Sequence, residues 1–267
     1  MQSQQKTVWR SPEEIVEIGF QRASVVMMNE AHSGLKRCIR TRQIGQRILP
    51  VAHQAGVRHL AMEALSLPLI ADRCNNSRSA PVYQTGALAQ PEMREFLQAA
   101  LDLGWTLISY EANISESSTE QKINLPKSTD TKKQLESSIR EYTNWREEQQ
   151  ALNLIAALKS LPMNTSLLVW CGNSHHSKRA SPDWIPMGYQ FQQQSNINPF
   201  VIDQIRTVKF DSSDNQLETE LITQFSEELT KHRETAGFLI EEVPNILAHY
   251  QDLGVDACLL STQNELE

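Results

Sequence analysis

Six short apolar runs, separated by stretches of helical periodicity, govern what this chain can fold into. They are Val25-Val26-Met27-Met28, His59-Leu60-Ala61-Met62, Thr106-Leu107-Ile108-Ser109, Ser166-Leu167-Leu168-Val169-Trp170, Pro199-Phe200-Val201-Ile202 and Ala257-Cys258-Leu259-Leu260. A strand that is apolar without alternation has to be covered on both faces, so these runs imply a sheet sandwiched between helices. Arg42 to Ala55 carries apolar positions at Ile44, Ile48, Leu49 and Ala52, with Gly56 as a stop. Pro91 to Leu103 begins on proline and ends before Gly104, and Thr131 to Leu161 is a long pattern, with room for one break, that ends before Pro162. Strand, helix, strand in this rhythm implies right-handed crossovers and a mostly parallel sheet with helices on both faces. The expectation is a single α/β domain over residues 1–267, with its core in about 20–210 and with 211–267 completing or extending the sheet. Asn113 to Thr129, rich in Ser, Glu and Lys, reads as a mobile loop near the site, and Asp211 to Asn215 as a polar turn.

At 267 residues and 40% hydrophobic content the chain is long enough to bury a substantial core. Its formal net charge of -7 repels phosphate backbones and anionic lipid, which argues against nucleic-acid and membrane partners. The N-terminus has no apolar signal-like region and no stretch approaches transmembrane length, so the expected location is cytoplasmic. Cys38, Cys74, Cys171 and Cys258 are scattered without a CxxC pair, which reads as buried free thiols. No Gly-x-Ser-x-Gly elbow and no GxGxxG loop occurs, and Cys171 directly follows the tryptophan of an expected strand. Serine or cysteine nucleophiles and phosphate loops are therefore poor readings.

In open α/β sheets ligands bind beyond the carboxyl ends of the strands. Past the first run come Asn29-Glu30-Ala31-His32, past the second Glu63, past the third Tyr110-Glu111, and past the fourth Cys171-Gly172-Asn173-Ser174-His175-His176. Ionisable groups at several strand ends are costly unless they pair or serve a ligand. A carboxylate beside an imidazole orients it and raises its basicity, so that it takes a proton from water; the same groups are also divalent-metal ligands. Both chemistries point to hydrolysis. Glu111 has an equally good reading as a salt-bridge partner, His53 and His59 read as structural, and His176 as a neighbour of His175. Arg146 either grips an anionic group of the substrate or holds Glu30, Glu63 or Glu111 in place. One of Arg37, Arg40 and Arg42 is expected in the pocket, and Arg40 is the first choice.

At these residues the sequence resembles the superfamily of erythromycin esterase-like, ChaN-like haem-uptake and TraB/Tiki-type proteins. Asn29-Glu30-Ala31-His32 is similar to its Gly-Glu-x-His motif, and Gly56 to Glu63 to its glycine, apolar strand and glutamate. Val169 to His175 is similar to its late strand and histidine, followed by Met187-Gly188. The likeness spans about residues 24–208. It implies that Glu30, His32, Glu63 and His175 line the pocket; Arg40, Glu111 and Arg146 are, from the residues themselves, the candidates for binding substrate there. In the esterase branch the histidine after the first strand activates water without metal; in the Tiki branch comparable residues hold a divalent ion, here Glu30, His32, Glu63 and His175. The ChaN branch binds haem, which makes a non-catalytic haem or small-molecule binder, with Tyr110 or His176 as ligand, the alternative to a hydrolase of small-molecule or peptide substrates. The chain departs from the pattern in Asn29 for glycine, in the single residue between Glu30 and His32, and in Gly172 where many esterases carry histidine.

Overall fold

The computed structural model describes residues 7–32, 35–113, 132–208, 216–232, 235–242, 250 and 252–262. One seven-stranded sheet organises them. Its strands are β1 (Val25–Glu30), β2 (His59–Met62), β3 (Thr106–Ser109), β4 (Leu167–Gly172), β5 (Phe200–Val208), β6 (Thr235–Leu239) and β7 (Ala257–Thr262), in the spatial order β3-β2-β4-β1-β5-β7-β6. Every pairing is parallel except β6 with β7, which is antiparallel. Strands β7 and β6, both past residue 211, thus extend the sheet beyond β5.

Alternate side chains of each central strand enter two separate cores, which is why the runs show no polar face. Val26, Met28, Leu60, Met62, Leu168 and Trp170 pack into one. The helices α1 (Pro12–Arg22), α2 (Leu35–Gln54), α3 (Pro68–Ser77) and α4 (Pro91–Asp102) supply its other side through residues such as Ile15, Ile44, Cys74 and Phe96. Val25, Met27, Ala61, Leu167 and Val169 face the second core, covered by α5 (Lys132–Ser160), α6 (Met187–Ser195) and α7 (Gln216–Lys231). All four cysteines are buried thiols outside any disulfide. Among the described residues no helix is long and apolar enough to cross a membrane.

Local chemistry accounts for most boundaries. Ser11 and Glu14 form a capping box at α1, the Ser11 amide donating to Glu14 Oε2 at 2.7 Å and the Glu14 amide to Ser11 Oγ at 3.2 Å. Gly104, at φ 83°, ends the α4 segment where the left-handed region is needed. The long helix runs unbroken from Lys132 to Ser160. Helix α2 begins at Leu35, two turns before the expected start at Arg42, because its early turns bury polar residues, Arg40, Thr41 and Arg42, that hide the apolar stripe. Strand β6 went unread in the sequence: Gly237 sits mid-strand, where a Cβ would lie 2.6 Å from the Cys258 carbonyl oxygen. Residues 114–129 of the expected loop, and the turn at Asp211 to Asn215, lie outside the described residues.

Asn29 is extended strand, and a left-handed residue at this edge is Asn173, at φ 43°, just after β4. What asparagine supplies at 29 is cross-linking. Its amide donates to the Asn173 carbonyl, its Oδ1 accepts from the Gln204 amide at 2.8 Å, and Gln204 Nε2 returns to the Asn29 carbonyl at 2.6 Å. Glycine offers none of these bonds, so Asn29 ties β1, β5 and the loop after β4 together at the carboxyl edge.

Candidate active site

The carboxyl ends of β1 to β4 surround an open cleft of about 440 Å3, lined among others by Glu30, His32, Arg42, Glu63, Glu111 and Gly172. The sheet register brings them level: Glu30 lies opposite Gly172, and Met62 opposite both Trp170 and Ser109.

Glu30 ends β1 and is 4% exposed. Arg42 from α2 grips both its oxygens, Nε to Oε2 at 3.0 Å and Nη2 to Oε1 at 3.2 Å, and the Trp170 indole N–H donates to Oε2 at 3.1 Å. Arg42 also donates to the Gln90 side chain. A charge at this depth is tolerable because the guanidinium fork matches the carboxylate and leaves neither oxygen bare.

Glu63 stands one residue past β2. Its Oε1 accepts from Arg146 Nη2 at 2.6 Å and its Oε2 from the Gly172 amide at 2.6 Å. Arg146, on α5, also binds Glu111, with Nε to Oε1 at 2.9 Å and a second contact to Oε2. One turn further along α5, Gln150 donates to both Glu111 oxygens at 3.1 Å, and Asn153 Nδ2 to the Tyr110 and Glu111 carbonyls, also at 3.1 Å. The spacing 146, 150, 153 places all three on one helix face. Burial alone would raise the Glu63 carboxyl, but the charges of His175 and Arg146 and the Gly172 amide outweigh it and hold the group below the usual carboxylate range. Burial likewise opposes the Arg146 charge, and the Glu111 and Glu63 carboxylates overcome that to raise its pKa.

His32 is exposed and lies over Gly172, where a Cβ would come within 1.9 Å of Nε2 and 2.2 Å of Cε1. The missing side chain at 172 seats the imidazole. The same residue's amide carries Glu63 Oε2, so the two catalytic candidates meet at one glycine, His32 Nε2 within about 7 Å of Glu63 Oε2 by backbone dimensions. Any side chain at 172 would not leave His32 this position.

His175 lies in the loop after β4 and does not line the cleft. Its Nδ1 meets Glu147, a wholly buried carboxylate of α5. Burial would lower the His175 pKa, but the hydrogen bond to Glu147 and the charges of Glu147 and Glu63 overcome it, and the pKa is raised. Arg40 turns away from the cleft, 7% exposed, with Nη2 on the Gln204 carbonyl at 3.3 Å, and Arg42 takes the cleft position. Residues two apart on a helix point about 200° from each other, so only one of them can face the site. Arg146 gives its guanidinium to two carboxylates instead of offering it to the cleft.

A divalent ion needs several convergent donors with free lone pairs. Among the described residues no group of three or more His, Cys, Asp or Glu meets that need. Glu30 and Glu63 are committed to Arg42, Trp170, Arg146 and the Gly172 amide. The arrangement does not fit a metal ion. Of the two expected haem ligands, Tyr110 is buried with its hydroxyl donating to the Trp170 carbonyl at 3.0 Å, and His176 is buried. Burial pushes the Tyr110 phenol far up, and neither residue lines the cleft, so these two do not fit haem there.

No protein-family model matches the chain, and no curated protein matches it in sequence. Among solved structures, a protein of Bacillus cereus is similar over 95% of this chain and 92% of its own, with a TM-score of 0.55 and 11% identity. ChaN of Campylobacter jejuni, described with cofacial haem binding, is similar over 77% of this chain and 88% of its own, with a TM-score of 0.48 and 15% identity. RRSP, a MARTX toxin effector domain from Vibrio vulnificus, is similar over 73% of this chain, with a TM-score of 0.48 and 13% identity. The chain spans only about a third of the toxin structures it matches, 35% of RRSP and 36% of another bacterial protein toxin. At such identities the likeness to the Bacillus cereus protein establishes the α/β fold alone.

Proposed function

We propose that the chain is a hydrolase of the erythromycin esterase, ChaN and Tiki type, in which His32 draws a proton from water without help from a metal. Glu63, fixed by Arg146 and by the Gly172 amide, orients that water from the opposite side. The oxygen attacks the carbonyl carbon of an ester or amide in the cleft, and the proton held on His32 passes to the leaving alcohol or amine. Glu30, held by Arg42 and the Trp170 indole, forms part of the same cleft wall. His175 keeps Glu63 ionised from behind. A volume of about 440 Å3 suits a small molecule or a short peptide segment.

One observation carries this reading. The ring of His32 occupies the space that any side chain at 172 would fill, in an open cleft, beside a carboxylate whose position is fully determined by other groups. The test is a panel of chromogenic esters, lactones and peptides offered to the wild type and to His32→Ala. The wild type is expected to turn over at least one class, His32→Ala to lose about a hundredfold or more as removal of a general base does, and EDTA to leave the rate unchanged. A wild type silent across the panel, or a fully active His32→Ala, overturns the proposal. A haemin titration of the same protein that produces a sharp Soret band would instead favour the binding protein.

A further inference from the structure

Glu147 is a fully buried carboxylate in the middle of α5, and its partners other than His175 are both donors. Oε1 faces His175 Nδ1 and accepts from the Trp184 indole N–H at 3.0 Å, while Oε2 accepts from the Met187 amide at 2.6 Å. Neither an indole N–H nor a backbone amide can accept a proton, so both oxygens are fixed as acceptors. An ionised carboxylate is acceptor-only, so the imidazole nitrogen that meets it brings the proton.

The backbone is held as closely as the ring. The Gly188 amide donates to the His175 carbonyl at 2.8 Å. A Cβ on Gly188 would lie 2.0 Å from the His176 carbonyl oxygen, so only glycine lets the first turn of α6 dock there. Trp184 meets the His175 ring edge to face, centroids 6.4 Å apart and planes at 75°. The Met187-Gly188 pair thus has two tasks: one amide completes the Glu147 cradle and the next clamps the histidine's main chain.

We infer that Glu147 is the positioning residue for His175, fixing its proton on Nδ1 and leaving Nε2 as the nitrogen turned away from Glu147. The charged groups around the ring are Glu147 and Arg146 from α5 and Glu63 from the end of β2, and the two carboxylates outweigh burial and the arginine in favouring the imidazolium. This deepens the hydrolase reading and rests on it only for its consequence in turnover; the protonation of the ring can be measured without any substrate.

The experiment is 15N NMR of the histidine rings in the full chain, followed against pH, for the wild type, Glu147→Gln and Trp184→Phe. In the wild type His175 is expected to titrate above an ordinary imidazole and, once neutral, to keep its proton on Nδ1. Glu147→Gln is expected to bring that titration back to or below the ordinary range, whereas Trp184→Phe, which leaves the carboxylate in place, keeps the Nδ1 proton. A neutral His175 carrying its proton on Nε2, or an unchanged titration in Glu147→Gln, overturns the inference. Should the buried amide of Glu147→Gln prevent folding, the wild-type spectrum decides alone. On a substrate found in the panel, Glu147→Gln is expected to lower kcat about tenfold or more with KM little changed, as loss of a histidine-orienting partner does. A shifted ring in a protein without turnover would refute the hydrolase and leave the positioning role standing.

Discussion

Two carboxylates end neighbouring parts of the sheet edge, and each is held by an arginine from a helix on a different face. Glu30 and Arg42 form a dry pair, with side chains 6% and 3% exposed. Glu63, Arg146 and Glu111 form a wetter network, at 12%, 23% and 14%. The dry pair has one cation per carboxylate and a closed ring of donors. The wetter one shares a single guanidinium between two carboxylates and adds an imidazole behind them. The first is built to stay as it is, the second to hold charge next to water.

The largest effect should come from the dry side. Arg42→Ala strands Glu30 in the core and is expected to cost about 3–5 kcal/mol in urea denaturation, the range for breaking a buried ion pair. Arg146→Ala leaves Glu63 and Glu111 facing each other with partial access to water, and about 1–3 kcal/mol is expected from the lost charged hydrogen bonds. If Arg146→Ala proves the costlier of the two, the contrast between the networks is wrong.

A pH titration sharpens the same comparison. Glu63 has a lowered pKa, so its contribution is complete above the ordinary carboxyl value of 4.5 and is lost as pH falls through its lower folded value. His175 has a raised pKa, so its contribution is complete below the ordinary imidazole value of 6.5 and is lost as pH rises through its higher folded value. Thermal melts should therefore show an alkaline loss of stability that His175→Gln abolishes; its persistence in that variant assigns it elsewhere. The smallest effect belongs to His32→Ala, an exposed side chain whose removal is expected to change stability by less than about 0.5 kcal/mol.

Much of this was legible in the chain because apolar runs and strand ends are local signals. The bounds of β2 and β3, and the start of α4 at Pro91, follow directly from residue order. So does the meeting of Glu30, His32, Glu63 and Glu111 at one cleft, since each lies at or just beyond the end of a strand. Choosing Arg42 over Arg40 depends on helix rotation about its axis, which the polar first turns of α2 do not reveal. The pairing of His175 with Glu147 joins a loop to the middle of a helix, and no spacing announces it. Gly172 looked like a departure from the family's pattern; only its Cβ position shows that it makes room for His32.

That last point offers the most direct test of the account. Gly172→Ala adds one methyl group where the His32 ring sits, and because that ring is exposed it can move aside at little cost in stability. Measured on the substrate class that the wild type hydrolyses, kcat of Gly172→Ala is predicted to fall nearly as far as that of His32→Ala, with the melting temperature close to wild type. A Gly172→Ala protein that keeps the wild-type kcat would contradict the claim that His32, seated on this glycine opposite Glu63, does the chemistry.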